Sequence, residues 1–573
     1  MTNKNSRLTP IIIAISVVIG ILIGSLYTEH FSGNRLGIIN SSSNKINALL
    51  RIISDQYVDD VPMDQIVENA MPLILKELDP HSKYIRAEDL EAENSGLEGK
   101  FSGIGVGFQI MNDTVCINSI IPGGPSEKVG IMPGDHIVQI NDSTFTGANV
   151  DEKFVKSKLK GKKGTKVKIT VKRQGDKKLH SFTVIRGDIP VKSVDAAYML
   201  DKNIGYLRIS QFGRTTHMEM INSLAVLSHE GMKKVIIDLR SNSGGYMEAA
   251  VQMANEFLPQ GRLIVYMEGR KYPRSDEYSN GNGSFQKIPL VVLINEASAS
   301  ASEIFAGAIQ DNDRGLIIGR RSFGKGLVQQ PIEFNDGSAI RLTIARYYTP
   351  SGRCIQRPYS LGIDEAYEKD VLTRYEHGEF FHADSIHLDR TKTFYTSFLK
   401  RPVYAQSGIM PDIFISEDTL GITSWYLAAK NASLQERFAF EYTDKNRKML
   451  SEYDNFVELL TYLKQQALID KLAAYGESNG LKRRNLMIRK SQKRIEKDLY
   501  GFLIYNILGQ EASIEFANLT DPTVIQAAKV LQENRSYPKA PTKEEKILTQ
   551  KIDSAARATA KAKAKAAEKD KLW

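Results

Sequence analysis

Short, uniformly apolar runs alternate with amphipathic stretches between residues 203 and 350, and this alternation constrains the fold more than any other feature. The apolar runs are Ile204–Ile209, Val235–Leu239 and Leu290–Ile294. The intervening stretches, one ending near Glu230 and one over Met247–Phe257, have apolar residues at helical spacing. Strands without a polar face must be covered on both sides, which helices achieve in a mostly parallel sheet. The sequence therefore predicts an α/β layer structure.

The patterning divides the rest of the 573-residue chain into further regions. Residues 29–97 are predicted to form a helical N-terminal region, and residues 98–187 have the short strands and Gly-rich turns of a β domain. The α/β core extends over 188–416, with an insert at about 358–403. Residues 417–573 are helix-rich and end in a basic tail. We therefore predict a multidomain α/β protein.

An uncharged run of 21 residues, Leu8–Thr28, follows Lys4 and Arg7 and precedes Glu29. A helix of this length measures about 30 Å, the thickness of the apolar core of a bilayer. Basic residues on its N-terminal flank place that end in the cytoplasm. A cleaved signal peptide is the alternative, but Gly24-Ser25-Leu26 is a poor cleavage site. We expect a single-pass transmembrane anchor in the inner (cytoplasmic) membrane, with the body facing the periplasm or the cell exterior.

The formal net charge of +9 is confined to the C-terminal part of the chain. Residues 481–500 carry eight Lys and Arg against two acidic residues, and residues 541–573 carry nine against five. The main body is therefore close to neutral, and the charge gives no support for a nucleic-acid-binding protein. Only two cysteines occur, Cys116 and Cys354. They exclude a disulfide scaffold and a Cys-rich zinc protein, and we expect them to stay unpaired.

The segment Ser298–Ile304, Ser-Ala-Ser-Ala-Ser-Glu-Ile, follows closely on a predicted buried strand. A strand, a tight turn of small residues and a helix can expose a hydroxyl nucleophile beside backbone N–H groups. The alternative is an ordinary helix cap, because Ser300 and Glu303 have the spacing of a capping box. No Ser-His-Asp triad is evident, since the nearest histidines in sequence are His229 and His377.

A second motif, Ser322–Gly326, places Lys325 between two glycines at the entry to a strand. Glycines let the backbone approach closely, and a lysine in a partly apolar setting can act as a general base. A Walker A phosphate loop is excluded, because it requires Ser or Thr after the lysine and Gly326 stands there.

These motifs, together with Asp-Leu-Arg-x-Asn-x-Gly-Gly at 238–245, resemble the carboxy-terminal processing peptidases, also called tail-specific proteases. Members of this family are serine endopeptidases with a Ser-Lys catalytic pair. The resemblance runs from about Leu78-Asp79-Pro80-His81-Ser82 to Gly408-Ile409-Met410-Pro411-Asp412, somewhat over half of the chain. It implies neither a metal nor a cofactor.

The resemblance also implies a role for particular residues. Ser300 corresponds to the nucleophile, Lys325 to its general base and Gln329 to the residue that orients the lysine. Asp311 has a role in some members, and its alternative here is to support the end of the helix. The N–H groups implied for an oxyanion hole are those of Gly245 and Ala301.

Residues 98–187 resemble a PDZ domain in two places. The loop Gly103, Ile104, Gly105 and Val106 resembles its carboxylate-binding loop, and Ile120–Asp135 resembles its middle section with Gly-x-x-x-Gly-Asp. In such a loop, successive backbone N–H groups capture a terminal carboxylate while the peptide adds as a strand.

Two regions depart from the family pattern. The insert at about 358–403 interrupts a short link of the family, and we expect it to decorate the core rather than to act as a lid or a partner surface. The basic run Lys482–Lys497 could contact phosphate groups or an acidic partner, but a solvated helix face is the expectation.

The sequence therefore predicts a membrane-anchored serine endopeptidase that recognises protein C-termini and cleaves near them. Its expected partners are protein substrates with a free C-terminus and the membrane, through the N-terminal segment, with no nucleic acid. A homo-oligomer remains open. The alternative is a catalytically inactive PDZ scaffold of the cell envelope, against which the intact Ser300, Lys325 and Gln329 argue.

Overall fold

The computed structural model describes residues 18–19, 42–111, 113–147, 150–362, 365–386, 388, 390–405 and 408–570. The predicted anchor, Leu8–Thr28, lies outside the described residues apart from positions 18 and 19. Within the described ranges, no helix combines the length and the apolar character needed to cross a membrane.

The chain forms two compact units, Met1–Lys76 and Glu77–Trp573. The first contains helices α1 (Ser42–Gln56) and α2 (Met63–Lys76). The second begins with strand β1 (Lys83–Ile85) and helix α3 (Ala87–Ser95). The prediction of helices in this region is confirmed for α1, α2 and α3, whereas β1 is a correction. Three residues are too few to show strand alternation, and β1 is fixed by pairing with the distant segment Ala339–Arg341.

The next region is a small β domain with two short helices. Its elements are β2 (Lys100–Gly103), β3 (Val106–Met111), β4 (Thr114–Ile120), α4 (Pro125–Lys128), β5 (His136–Ile140), β6 (Ser143–Thr144), α5 (Glu152–Leu159), β7 (Lys166–Lys172), β8 (Leu179–Ile185) and β9 (Gly187–Pro190). The sheet has the order β3-β4-β5-β7-β8, with β6 on β5, and β2 pairs separately with β9. Apolar residues such as Val115, Ile137 and Ile169 fill its core. Strand β3 therefore lies at an edge of this sheet.

The α/β core follows. Its elements are β10 (Val194–Met199), β11 (Ile204–Ile209), α6 (Thr216–His229), β12 (Lys234–Asp238), α7 (Met247–Asn255), β13 (Leu263–Glu268), β14 (Ser275–Tyr278), β15 (Leu290–Ile294), α8 (Ala301–Asp311), β16 (Leu316–Gly319), β17 (Leu327–Glu333) and β18 (Ala339–Tyr348). The insert contributes α9 (Glu365–Glu368), α10 (Asp370–Glu376), a 3-10 turn (Ala383–Ser385), β19 (Thr393–Tyr395) and β20 (Pro402–Tyr404), and β21 (Ile413–Phe414) follows.

The remainder of the described chain is helical. Its elements are α11 (Ser424–Asn431), α12 (Leu434–Leu450), α13 (Phe456–Lys464), α14 (Leu468–Ser478), α15 (Asn485–Leu508), α16 (Gln510–Asn518), α17 (Pro522–Gln532) and α18 (Lys543–Asp570). Buried side chains of α11 to α15, among them Trp425, Leu459 and Leu499, form a core of their own.

The central sheet has the order β10-β11-β12-β15-β16-β21, and all neighbouring strands are parallel except β10 and β11. Leu207, Ile237 and Val292 belong to the core on one face, which includes side chains of α6, α7 and α8. Side chains that alternate with them belong to the core on the other face, which includes residues of α17. Burial on both faces explains why these strands are uniformly apolar in sequence.

A second sheet has the order β1-β18-β13-β14, with β17 also paired to β18. The long strand β18 pairs with β17 over seven residues, from Leu327 to Glu333. This antiparallel sheet holds the lysine motif, whereas the parallel sheet holds the serine motif. The chemistry of the candidate site therefore depends on how the two sheets meet.

The β domain packs against α12 of the C-terminal region. Met111 and Cys116 form a buried cluster with Phe440. His136 Nε2 lies 3.3 Å from Asp444 Oδ2, and this hydrogen bond is the largest of the contacts that raise the pKa of His136 to about 10. Cys116 and the distant Cys354 are both free thiols, as predicted.

Candidate active site

Ser300 occupies the sharp turn between β15 and α8, where its backbone adopts φ +55° and ψ −115°. Such a conformation costs a non-glycine residue on the order of 1–3 kcal/mol and persists only where the surroundings impose it. The N–H of Ser300 donates to Glu303 Oε2 at 2.9 Å. Ala299 and Ala301 are buried, whereas Ser300 is part-exposed. The turn thus presents this one side chain at the start of a buried helix.

The other two serines of the motif have hydroxyls that are used inside the protein. Ser298 Oγ donates to the carbonyl of Leu239 at 2.7 Å, and Ser302 Oγ donates to that of Asn242 at 2.8 Å. Both side chains are fully buried. They tie the turn to the segment after β12. Of the three serines, only Ser300 can meet a substrate without a rearrangement of the backbone.

The loop of Gly244 and Gly245 approaches the serine turn closely. A Cβ atom on Gly244 would lie 2.7 Å from Ser300 Cβ, so a side chain there would collide with the turn. The N–H groups of Gly245 and Ala301, the predicted oxyanion pair, donate to no acceptor within the described part of the chain. Ala301 also begins α8, where the helix dipole favours negative charge. Both amides are therefore free to stabilise an oxyanion.

Lys325 lies in the loop before β17, next to Gly324 with φ +87°. Its Nζ donates to Gln329 Oε1 at 3.1 Å. Burial lowers the pKa of Lys325, and the positive charge of Arg341 lowers it further. These surroundings favour the neutral amine, which a general base requires. Among the hydrogen bonds of the described residues, none joins Lys325 Nζ to Ser300 Oγ, so other groups must hold the two together.

A buried carboxylate connects the serine turn to the lysine loop. Glu303 Oε2 accepts from the N–H groups of Ser300 and Lys325 at 2.9 and 2.8 Å. Its Oε1 accepts from the Ser322 hydroxyl at 2.5 Å and from the N–H of Gly324 at 2.7 Å. Burial raises the pKa of Glu303 to about 7 although these donors act to lower it. The capping residue expected from the sequence is thus also a bridge, a role that its spacing alone does not reveal.

A tyrosine forms a second bridge that the sequence analysis missed. Tyr347 on β18 is buried, and its hydroxyl lies 3.1 Å from the carbonyl oxygen of Ser300 and 2.5 Å from that of Lys325. Burial raises the pKa of Tyr347, so the hydroxyl remains a neutral donor. No sequence signal distinguishes this tyrosine from others in an apolar strand, because its role depends on a contact between two sheets.

The turn before β1 supports Gln329. Gln329 Nε2 donates to the carbonyl oxygen of His81, and His81 Nε2 is hydrogen-bonded to the Tyr367 hydroxyl at 2.6 Å. Asp79 fixes the turn by accepting the N–H of His81 at 2.9 Å. Burial, aided by the charge of Lys325, lowers the pKa of His81 to about 4. The sequence analysis found no well-placed histidine, and the only signal for this one was its position in the motif at 78–82.

The insert at about 358–403 packs against the lysine loop. Arg374 donates to the carbonyl oxygens of Arg321 at 2.8 Å and Ser322 at 3.1 Å. Tyr367 also belongs to the insert, and its ring packs edge-on against that of Phe323 in the lysine loop, with the ring centroids 6.4 Å apart. The expectation that the insert decorates the core, and is neither a lid nor a partner surface, stays a prediction. Its arginine and tyrosine make tertiary contacts that no local pattern predicts.

Asp311 lies at the other end of α8. Eleven helical residues separate it from Ser300 by about 16 Å along the axis. Its carboxylate pairs with Arg353 at 2.8 Å, with both side chains fully buried, and it accepts the N–H of Ser351 at 3.2 Å. The structure thus does not bring Asp311 to the Ser300 turn, and its contacts support the end of the helix and the segment after β18.

The predicted carboxylate-binding loop, Gly103–Val106, connects β2 to the edge strand β3. The carbonyl oxygens of Ile104 and Gly105 accept the N–H groups of Ser126 and Ile121, each at 3.0 Å. The N–H groups of Ile104 and Gly105 themselves have no acceptor among the described residues. Free amides beside an open strand edge are the features that capture of a peptide C-terminus requires.

Comparisons with known proteins assign these regions. Peptidase family S41 matches residues 203–368, a PDZ domain matches residues 102–185, and a family of unknown function (DUF8443) matches residues 425–509. A "Probable CtpA-like serine protease" from Staphylococcus aureus strain COL is 35% identical over 351 residues, which cover 60% of this chain and 70% of the relative. The chain belongs to peptidase family S41. The resemblance found in the sequence is thereby confirmed, together with the PDZ domain, the S41 core and the helical C-terminal region.

Other relatives of this S41 peptidase match over similar lengths. The protein of the same description from Staphylococcus aureus strain N315 is 36% identical over 314 residues, 54% of this chain, and the chain spans 62% of its length. Among solved structures, the photosystem II D1 C-terminal processing protease is 25% identical, covers 64% of this chain and 87% of its own, and has a TM-score of 0.33. A TM-score of this size establishes no shared fold, so the assignment to the family rests on the sequence matches.

Proposed function

We propose that this S41 chain is a serine endopeptidase that holds the free C-terminus of a protein substrate in its PDZ domain and cleaves a nearby peptide bond. The observation that carries the proposal is the Glu303 carboxylate, which accepts the N–H groups of both Ser300 and Lys325. One buried group thus fixes the backbone of a part-exposed serine and that of a lysine whose pKa is lowered. A helix cap alone does not require the second contact.

In the proposed reaction, Ser300 Oγ attacks the carbonyl carbon of the peptide while neutral Lys325 Nζ takes the hydroxyl proton. The N–H groups of Gly245 and Ala301 stabilise the oxyanion of the tetrahedral intermediate. Collapse breaks the C–N bond, and Lys325 gives the proton to the departing amine. Water then attacks the acyl-enzyme, with Lys325 again as the base, and releases the new carboxylate and Ser300. Gln329 orients the lysine throughout through its 3.1 Å contact.

Single serine variants test this assignment. Ser300→Ala should abolish cleavage of a free-acid peptide while binding of that peptide persists. Ser302→Ala is the matched control, because its hydroxyl bonds only to a backbone carbonyl. Full activity of Ser300→Ala, with loss in the control, would move the nucleophile. Intact peptide binding without cleavage by the wild-type protein would favour the inactive PDZ scaffold instead.

The membrane topology is part of the proposal. Lys4 and Arg7 precede the uncharged run Leu8–Thr28, which supports a single-pass anchor with the body outside the cytoplasm. Added protease should digest the body in cells whose outer envelope is permeabilised. Protection there, with digestion only after lysis of the inner membrane, would contradict this orientation.

A further inference from the structure

A cleft of about 1450 Å³ lies at the carboxyl edge of the parallel sheet. Arg208, Ser241, Asn295 and Arg320 line one wall, and each lies at or just after the end of one strand, in the order β11, β12, β15 and β16. Side chains from adjacent strand ends converge at this edge, where α/β sheets commonly bind ligands. We call this feature the basic cleft.

The C-terminal helices form the opposite wall. Arg489, Lys493 and Lys497 on α15 follow one another at steps of four residues, which places them on one face of the helix. They belong to the basic run that the sequence analysis expected to be only a solvated helix face. The wall also includes Lys430 of α11 and Lys464 of α13. These residues lie within 425–509, the region matched by the family of unknown function.

Most positive charges of this wall are not neutralised. Four arginines of the basic cleft have carboxylate partners: Arg208 with Asp195, Arg240 with Asp521, Arg320 with Glu296 and Arg494 with Asp418. Two further carboxylates of the cleft, Glu496 and Asp498, accept hydrogen bonds from Gln492 and Tyr426. Six basic side chains of the cleft form no ion pair among the described residues: Lys430, Lys464, Arg489, Lys490, Lys493 and Lys497.

We propose that the basic cleft binds an acidic segment of polypeptide. The unpaired positive charges of the cleft favour an anionic ligand. Because these charges are spread along a helix, they favour an extended anion. From Arg489 to Lys497 the helix rises about 12 Å, the length of three or four residues of extended chain. A single phosphate would need donors that converge on one point. The lining of the cleft does not include Ser300, Lys325 or Gln329, and the proposal does not depend on the proposed proteolysis.

Fluorescence anisotropy with a labelled hexaglutamate peptide tests the proposal on the full-length protein in detergent. This peptide and its hexaglutamine control are amidated at the C-terminus, so that neither offers a terminal carboxylate to the PDZ loop. The Ser300→Ala background removes cleavage, so failure of binding and failure of catalysis stay distinct. The peptide should bind, binding should weaken as salt is raised, and hexaglutamine should not compete. The triple variant R489E/K493E/K497E should bind at least tenfold more weakly. Lys482→Glu, an exposed change in the same basic run but outside the cleft, should alter binding less than twofold.

Four results would contradict the proposal that the basic cleft binds an acidic polypeptide. Equal affinity of the triple variant, with its unfolding midpoint unchanged, would overturn the proposal, as would equal binding of hexaglutamine. Displacement of the peptide by low-millimolar inorganic phosphate would reassign the cleft to a small anion. If a single-stranded DNA oligonucleotide binds more tightly than hexaglutamate does, the proposal of an acidic polypeptide is overturned and the cleft is assigned to nucleic acid.

Discussion

Replacing Glu303 with glutamine removes one charge and one acceptor at the bridge between Ser300 and Lys325. The carboxylate accepts four donors, two at each oxygen. An amide has only one oxygen, and the glutamine side chain can therefore take two orientations. In the first, its NH2 group faces the N–H groups of Ser300 and Lys325; in the second, it faces the Ser322 hydroxyl and the N–H of Gly324. The second orientation costs less, because a hydroxyl can turn, but it leaves the N–H of Gly324 unpaired. An unpaired buried donor costs about 1–3 kcal/mol.

The pH dependence of stability gives a second readout for the same variant. Burial raises the pKa of Glu303 from 4.5 to about 7, so the folded state holds this proton more tightly than the unfolded chain does. The contribution of Glu303 to the free energy of unfolding of the wild type is therefore fully present below pH 4.5 and is lost as the pH rises through about 7. The loss amounts to about 3 kcal/mol. Glutamine does not titrate, and Glu303→Gln should lack this slope.

Turnover and unfolding of Glu303→Gln should therefore be measured together between pH 5 and 8. We expect kcat to fall about a hundredfold with little change in KM, since a displacement of about 1 Å at a reacting group has this effect. Glu333→Gln, at an exposed position of β17, is the matched control and should behave as wild type. Turnover of Glu303→Gln within threefold of wild type, with an unchanged pH slope of stability, would refute the bridging role.

Three further predictions test the lysine, the insert and the PDZ loop. Because burial lowers the pKa of Lys325, activity should rise with pH and level off below the pH range in which lysines usually titrate. The variant Lys325→Arg should be inactive at every pH, and near-normal rates for it would exclude Lys325 as the general base. Tyr367→Phe removes the hydrogen bond to His81 and should lower kcat several-fold. Tyr375→Phe, at an exposed position of the insert, is the control and should not lower kcat. Equal rates for the two variants would mean that the insert does not support catalysis. Amidation of the substrate C-terminus should weaken capture of the substrate about ten- to a hundredfold, and Gly105→Asp should raise KM. Equal cleavage of free-acid and amidated peptides would show that the PDZ loop does not select the substrate.

The parallel strands were the most predictable part of the fold. The sequence analysis placed β11 and β15 at Ile204–Ile209 and Leu290–Ile294, where the structure has them. Burial on both faces leaves such strands uniformly apolar, so their ends are marked in the sequence. Strand β1 was missed because its three residues are fixed only by pairing with β18, more than 250 positions later.

The candidate site was predictable only where its chemistry is local. Ser300 and Lys325 lie in glycine- and serine-rich turns whose composition marks them, and Gln329 follows the lysine by four residues. Tyr347 and His81 reach the site through contacts between elements far apart in the chain. Their residue types and spacing resemble those of ordinary structural positions. Tertiary packing rather than local pattern therefore determines the supports of the site.

Trapping of an acyl-enzyme tests the central claim most directly. A peptide ester is mixed with the protein, the reaction is quenched in acid within milliseconds, and the peptide that carries the added acyl mass is identified by mass spectrometry. We predict an acyl group on Ser300 Oγ in the wild type and its absence in Lys325→Ala. An acyl group on Ser298, on Ser302 or on any other residue, or undiminished acylation of Ser300 in Lys325→Ala, would contradict the Ser-Lys mechanism.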